Sequence, residues 1–249
     1  MGAAFYAEWQ GEFDPDNTQA WSDIANQFKS VNRHTYDKNK QLNYHAWSYD
    51  PDDANSFWAN KTEPFKGCSK EFWGRAMGWY FAALVDVLED MPQSHPDYAE
   101  LKQITLQVAK GLERWQDKES GTWYQLLQYD DSYKSKCGIA NYLESSASSM
   151  FTYAYLKGIR LGILPDSFAG VAEKAYQGLL KTFVTKNEDG TINLNQSCRS
   201  AGLGPAKDPS RDGSADYYLC GKDVTIVNNE GKAIGPFIMA SLEYELKNK

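Results

Sequence analysis

Helical periodicity, interrupted by a recurring polar turn, constrains this chain more than any other feature of its sequence. Apolar residues at i, i+3 and i+4 run through Phe72, Trp73, Met77, Tyr80, Phe81, Leu84, Val85 and Leu88 and stop at Met91-Pro92, which predicts a buried helix. Leu101, Ile104, Val108, Leu112 and Trp115 predict another, entered through His95-Pro96-Asp97 and ended before Ser120-Gly121. A third spans roughly Glu144 to Leu161. A fourth follows Pro165-Asp166-Ser167, where an acidic or hydroxyl N-cap precedes Phe168, Val171, Ala172, Ala175, Leu179 and Phe183. Two more are expected near Gln19–Val31 and Gly235–Leu246, and Met1–Trp9 reads as the tail end of another.

The interruptions resemble one another. Asp37-Lys38-Asn39-Lys40-Gln41-Leu42-Asn43-Tyr44, Asp117-Lys118-Glu119-Ser120-Gly121-Thr122-Trp123-Tyr124 and Asn187-Glu188-Asp189-Gly190-Thr191-Ile192 are each a short polar turn followed by a few extended residues. They lie about 80 and about 70 residues apart, enough for two helices and their loops. Such a unit implies an all-α toroid of helical hairpins with the loops of one rim gathered over a central pocket; an ordinary helical bundle is the alternative. About seven helices are counted, fewer than a closed ring of six hairpins holds, so an N-terminal portion of the ring is expected to be absent.

With 249 residues, 42% of them apolar, the chain is long enough for one large domain over residues 1–249. Its 33 acidic against 26 basic residues give a net charge of −7, which disfavours nucleic acid or an anionic membrane as partner. An anionic substrate would need a locally basic pocket. No apolar run reaches the roughly 18 residues of a membrane span, and Met1-Gly2-Ala3-Ala4-Phe5-Tyr6 lacks the basic start of a signal peptide. Location is left open between the cytoplasm and, in a bacterium, the periplasm. Cys68, Cys137, Cys198 and Cys220 form no C-x-x-C pair, so they read as free thiols, and His34, His45 and His95 show no metal-ligand spacing. Neither a metal nor a cofactor is expected.

Aromatic content is high, with 8 Trp and 16 Tyr; aromatic faces stack on sugar rings but also fill cores. The segment Glu71-Phe72-Trp73-Gly74-Arg75-Ala76-Met77-Gly78-Trp79 stands at a helix start, where backbone N–H groups favour an anion. Arg75 adds a guanidinium fork suited to a carboxylate, and Trp79, one turn later on the same face, is placed to stack on the ring that the fork holds. Taken alone, Trp73 and Trp79 read as core; with Arg75 and two glycines at a helix mouth they read as a site. Asn43-Tyr44-His45-Ala46-Trp47 follows the first repeated turn, which puts His45 and Trp47 on the same rim. Glu144, at the next helix start, is either a pocket carboxylate or a favourable first-turn charge. Ser200-Ala201-Gly202-Leu203-Gly204 and Arg211-Asp212-Gly213-Ser214 lack the spacing of a phosphate cradle, and no G-x-S-x-G elbow, Walker loop or H-E-x-x-H motif occurs.

Phe72-Trp73-Gly74-Arg75-Ala76-Met77-Gly78-Trp79, followed by Leu84 to Pro92, resembles the F-W-G-R-x-x-G-W helix of glycoside hydrolase family 105, the unsaturated rhamnogalacturonyl hydrolases, and of its relatives in family 88. The likeness continues through Gly121-Thr122-Trp123-Tyr124-Gln125, Glu144 to Phe151, Lys157 to Gly162, Arg211-Asp212-Gly213-Ser214 with Tyr217-Tyr218, and Gly235-Pro236-Phe237. The resemblance implies an (α/α)6 toroid that takes lyase-generated oligosaccharides, such as those of pectin degradation, carrying a 4,5-unsaturated uronic acid at the non-reducing end. In that family an aspartic acid protonates the enol-ether double bond while water adds across it, and the hydrated sugar opens and releases its neighbour. His45, Arg75 and Trp79 match positions that line the family's pocket, with Trp73 and Trp47 beside them. Met1 to Trp9 resembles the stretch after the family's D-x-x-Met motif, so the proton-donor aspartate is expected to precede residue 1. The chain as given is then expected to be inactive and to self-associate through an open toroid edge, with Glu144 as the fallback acid. A non-catalytic carbohydrate-binding or interaction module of helical hairpins is the other reading.

Overall fold

The structure, a computed structural model, describes residues 2–247. Among these, eight α-helices carry the fold: α1 (Gly2–Phe13), α2 (Thr18–Thr35), α3 (Gly74–Asp90), α4 (Tyr98–Trp115), α5 (Ser145–Arg160), α6 (Ala169–Phe183), α7 (Ala215–Cys220) and α8 (Gly231–Lys247). Three antiparallel ribbons join them: β1 (Tyr36–Asp37) with β2 (Leu42–Asn43), β3 (Val184–Lys186) with β4 (Ile192–Leu194), and β5 (Ser197–Cys198) with β6 (Ile226–Val227). The helices expected from periodicity are present, although α1 extends to Phe13, α8 begins at Gly231, and Met1 lies outside the described residues. Short α7 was not foreseen, because six residues carry too little periodicity to register. At α6 the expected side-chain N-cap is replaced by a 3-10 turn over Asp166–Phe168 that leads into the helix.

Helices α1, α3, α5 and α8 stand side by side, each packed on the next, while α2, α4 and α6 lie behind them. The burial patterns explain this arrangement. Every residue of α5 from Ser145 to Gly158 is buried, as an inner helix with neighbours on all sides requires. In α4, by contrast, only a stripe of Leu101, Ile104, Thr105, Val108, Ala109, Gly111 and Leu112 is covered. Large side chains such as Trp21, Phe81, Trp123, Phe151 and Phe183 fill the space between the layers at 0–1% exposure, each contributing roughly 1.5–3 kcal/mol of burial. This alternation of inner and outer helices is the hairpin order of an α/α toroid.

The repeated turns lock the hairpins together. The Gln41 carbonyl, in the first turn, rests on Gly111 of α4, and the Ser120 carbonyl, in the second, rests on Gly178 of α6; a Cβ at either glycine would overlap that oxygen. These two turns therefore pack on the outer helix of the following hairpin. Arg114 and Trp115 complete the first contact by donating to the carbonyls of Asn39 and Lys40, at 2.9 and 2.8 Å. The free-thiol expectation is corrected for two of the four cysteines. Cys137 and Cys220 form a disulfide with Cα atoms 6.4 Å apart, whereas Cys68 and Cys198 are free and buried. A separation of 83 residues hid this pairing, which only the packing of α7 creates. Among the described residues no helix is long and apolar enough to cross a membrane.

Candidate functional site

Extended segments precede the inner helices and pair with one another, so the helix starts converge on one rim. Trp73 bridges Leu126, Tyr124 bridges Leu143, and Ser145 N–H donates to the Gln196 carbonyl at 3.0 Å. Gly74 and Gly78 let α3 approach α5 closely, since a Cβ at Gly78 would stand 2.6 Å from Met150 Sδ. The two glycines that marked this helix in the sequence thus serve helix packing.

The rim gathers His45, Trp73 and Tyr218. The ring of His45 lies 4.8 Å from that of Trp73 and 5.9 Å from that of Tyr218, and Trp73 stacks on Tyr218 at 5.8 Å with 28° between planes. Gln125 ties the group together by accepting from Trp73 Nε1 at 3.1 Å and donating to the Tyr218 carbonyl at 3.2 Å. Tyr218 Oη and His45 Nδ1 are 2.5 Å apart. Burial lowers the His45 pKa to about 4 and holds the Tyr218 hydroxyl well above its usual range. At neutral pH the imidazole is therefore neutral and Tyr218 donates to Nδ1, a tautomer assigned from the hydrogen bond, which leaves Nε2 as an N–H donor.

Arg75 lies beneath this cluster, 2% exposed, with its guanidinium carbon 5.7 Å from the Trp73 ring centre. Its Nε donates to Ser146 Oγ at 2.7 Å, and one terminal nitrogen reaches Glu144 Oε1 at 3.4 Å, Ser197 Oγ at 3.3 Å and the Cys198 carbonyl. The expectation of an open fork gives way to an internal ion pair, because α3 and α5 approach closely at Gly74 and Gly78 and the guanidinium is enclosed among Glu144, Ser146 and Ser197. Glu144, the fallback acid, is 0% exposed. It caps α5 by accepting from Ala147 N–H at 2.7 Å and also accepts from Cys198 N–H at 2.8 Å. Its carboxylate is thus enclosed away from solvent.

Trp79 faces a different space. It is half-buried and lines a cavity of about 100 Å³ with Ala82, Ala83, Met150 and Tyr153, between the inner helices. Trp47 is placed elsewhere, with its ring stacked on His34 at 4.0 Å. Sequence reasoning missed Tyr218, Gln125 and Glu71, although Gln125 and Tyr218 fall in stretches that carry the family likeness. Glu71, two residues before Trp73, is half-buried beside Gln128 and Tyr129. Burial raises its pKa to about 7 against hydrogen bonds from Tyr129, Gln128 and the Ala215 N–H. Gln128 Oε1 is buried without a partner among the described residues, and a protonated Glu71 supplies a donor for it once the amide is turned. Among the described residues no group of three or more His, Cys, Asp or Glu side chains is arranged to hold a metal ion.

Inner and outer helices in alternation, with an aromatic and histidine cluster where the helix starts converge, define an α/α-toroid glycosidase scaffold. The profile of glycosyl hydrolase family 88 matches residues 1–247, and the chain belongs to that family. It is 37% identical over 194 residues to protein Atu3128 of Agrobacterium fabrum, covering 76% of this chain and 77% of that protein. A family 105 glycoside hydrolase of C. acetobutylicum ATCC 824 superposes with a TM-score of 0.86 at 42% identity, over 98% of this chain and 62% of that one. This chain thus spans less than two thirds of that structure. An unsaturated 3S-rhamnoglycuronyl hydrolase of Alteromonas sp. (strain LOR) is 29% identical over 151 residues, 60% of this chain and 33% of that protein.

Proposed function

We propose that this protein is a glycoside hydrolase for oligosaccharides that carry a 4,5-unsaturated uronic acid at the non-reducing end, of the unsaturated rhamnogalacturonyl type, acting by hydration of the enol-ether double bond. The observation that carries the reading is the His45–Tyr218–Trp73 cluster at the mouth of α3 in a member of this family. A neutral imidazole with a free Nε2–H donates to a sugar hydroxyl or carboxylate without adding a buried charge. Trp79, half-buried on the neighbouring cavity wall, offers a ring face for stacking, while buried Trp73 supports His45 and Tyr218. Arg75, its charge paired with Glu144, fixes the rim from under Trp73, and Trp47, stacked on His34, stays outside the cluster. Hydration needs a carboxylic acid facing the double bond, and the enclosed Glu144 does not supply it. No cofactor takes part in the reaction.

The test is turnover of a lyase-generated unsaturated disaccharide, followed as loss of the enol-ether absorbance in the ultraviolet. Loss that depends on His45 supports the reading. Binding without turnover favours the rival, a non-catalytic sugar-binding module.

The same proposal includes self-association. Phe5, Trp9 and Phe13 form one stripe on α1, Ile238, Leu242 and Leu246 another on α8, and each of these side chains is 45–71% exposed. Apolar stripes of this kind drive association between copies, so light scattering should report a mass that rises with concentration. A constant monomer mass would contradict it.

A further inference from the structure

Helix α7 has six residues, too few to be stable alone, yet it carries the tyrosine that closes on His45. The loop before α5 holds it at both ends. In the first turn of α7, Asp216 Oδ1 accepts from the Lys136 N–H at 2.7 Å, and Asp216 Oδ2 lies 3.2 Å from Lys136 Nζ. At its last residue, Cys220 is bonded to Cys137, with Ser135 Oγ 3.0 Å from the Cys220 sulfur and 3.1 Å from the Cys137 sulfur. Tyr218 lies between the two ties, two residues from the disulfide. Cys137 is exposed, so the bond is open to a reductant.

We infer that the Cys137–Cys220 disulfide is a positioning device for the candidate site, a redox-responsive tie that holds Tyr218 against His45. The inference rests on geometry and not on the proposed activity. A dithiol attacks one sulfur and the S–S bond breaks. Two electrons and two protons end on the thiols of Cys137 and Cys220, and the reductant leaves as its own cyclic disulfide. The freed end of α7 then withdraws Tyr218 and admits water to the imidazole.

The chain contains three histidines, which makes the test direct. Imidazole proton resonances of the whole chain are titrated before and after native reduction with dithiothreitol, with loss of the disulfide checked by mass, and again in Cys137→Ser. The oxidised protein should show His45 titrating near 4, and both the reduced protein and Cys137→Ser should move it up towards 6.5, with His34 and His95 unchanged. A His45 titration that stays in place once the bond is gone overturns the proposal. So does a change shared by all three histidines, which would make the disulfide a general support of the fold. A sample in which Cys137 and Cys220 prove unpaired before reduction overturns it as well.

Discussion

Arg75 and Glu144, 69 residues apart, form a buried ion pair at 3.4 Å that joins the start of α3 to the start of α5 beneath the aromatic cluster. Arg75→Met leaves the Glu144 carboxylate enclosed with its backbone donors but no cation, and should cost about 3–5 kcal/mol of stability. Adding Glu144→Gln removes the unpaired charge, so the double variant should be less destabilised than the sum of the single changes, with a coupling of about 0.5–3 kcal/mol. Urea denaturation of the four proteins measures this. If Arg75 were an open substrate fork, Arg75→Met would leave stability nearly unchanged.

Trp73 and Trp79 should separate in a paired experiment. Trp73 is 6% exposed and packs among Leu126, Tyr218 and Leu219, so Trp73→Ala should cost about 3–5 kcal/mol. Trp79 is half-buried on a cavity wall, so Trp79→Ala should melt at a higher temperature than Trp73→Ala. Thermal melts with and without an unsaturated disaccharide decide it: the ligand should raise the melting temperature of the native chain more than that of Trp79→Ala. Equal losses of stability in the two variants would place Trp79 in the core.

Glu71 gives the fold a pH dependence of defined sign. Its pKa rises from an ordinary 4.5 to about 7, so between those values the folded chain holds a proton that the unfolded chain has released. The stability that Glu71 contributes is present at low pH and is lost as pH rises from about 4.5 through about 7. Glu71→Gln keeps a neutral group there and should raise the melting temperature at pH 8 but not at pH 4.5. His45 acts in the opposite sense. Its lowered pKa makes stability fall as pH drops from 6.5 towards 4, so the comparison of variant with parent at each pH isolates Glu71.

The helices were legible because periodicity and stop signals are local; Met91-Pro92 ends α3 in the sequence as it does in the structure. The toroid was legible because its turns recur, and the structure supplies their physical reason in the carbonyls of Gln41 and Ser120 seated on Gly111 and Gly178. Of the candidate site residues, His45 and Trp73 lie side by side in the structure, but a helix-start arginine looks the same in sequence whether it faces a ligand or a buried Glu144. Tyr218 reaches His45 across 173 residues and Cys220 reaches Cys137 across 83, and no local pattern encodes either distance.

A saccharide site at His45, supported by Trp73 and Tyr218 and flanked by Trp79 on the neighbouring cavity wall, is tested most directly by calorimetric titration with an unsaturated uronyl disaccharide. The native chain should bind, and His45→Ala and Trp79→Ala should each bind at least about tenfold more weakly, a loss of roughly 1.4 kcal/mol. Absence of binding by the native chain, or equal affinity in all three proteins, would rule the site out.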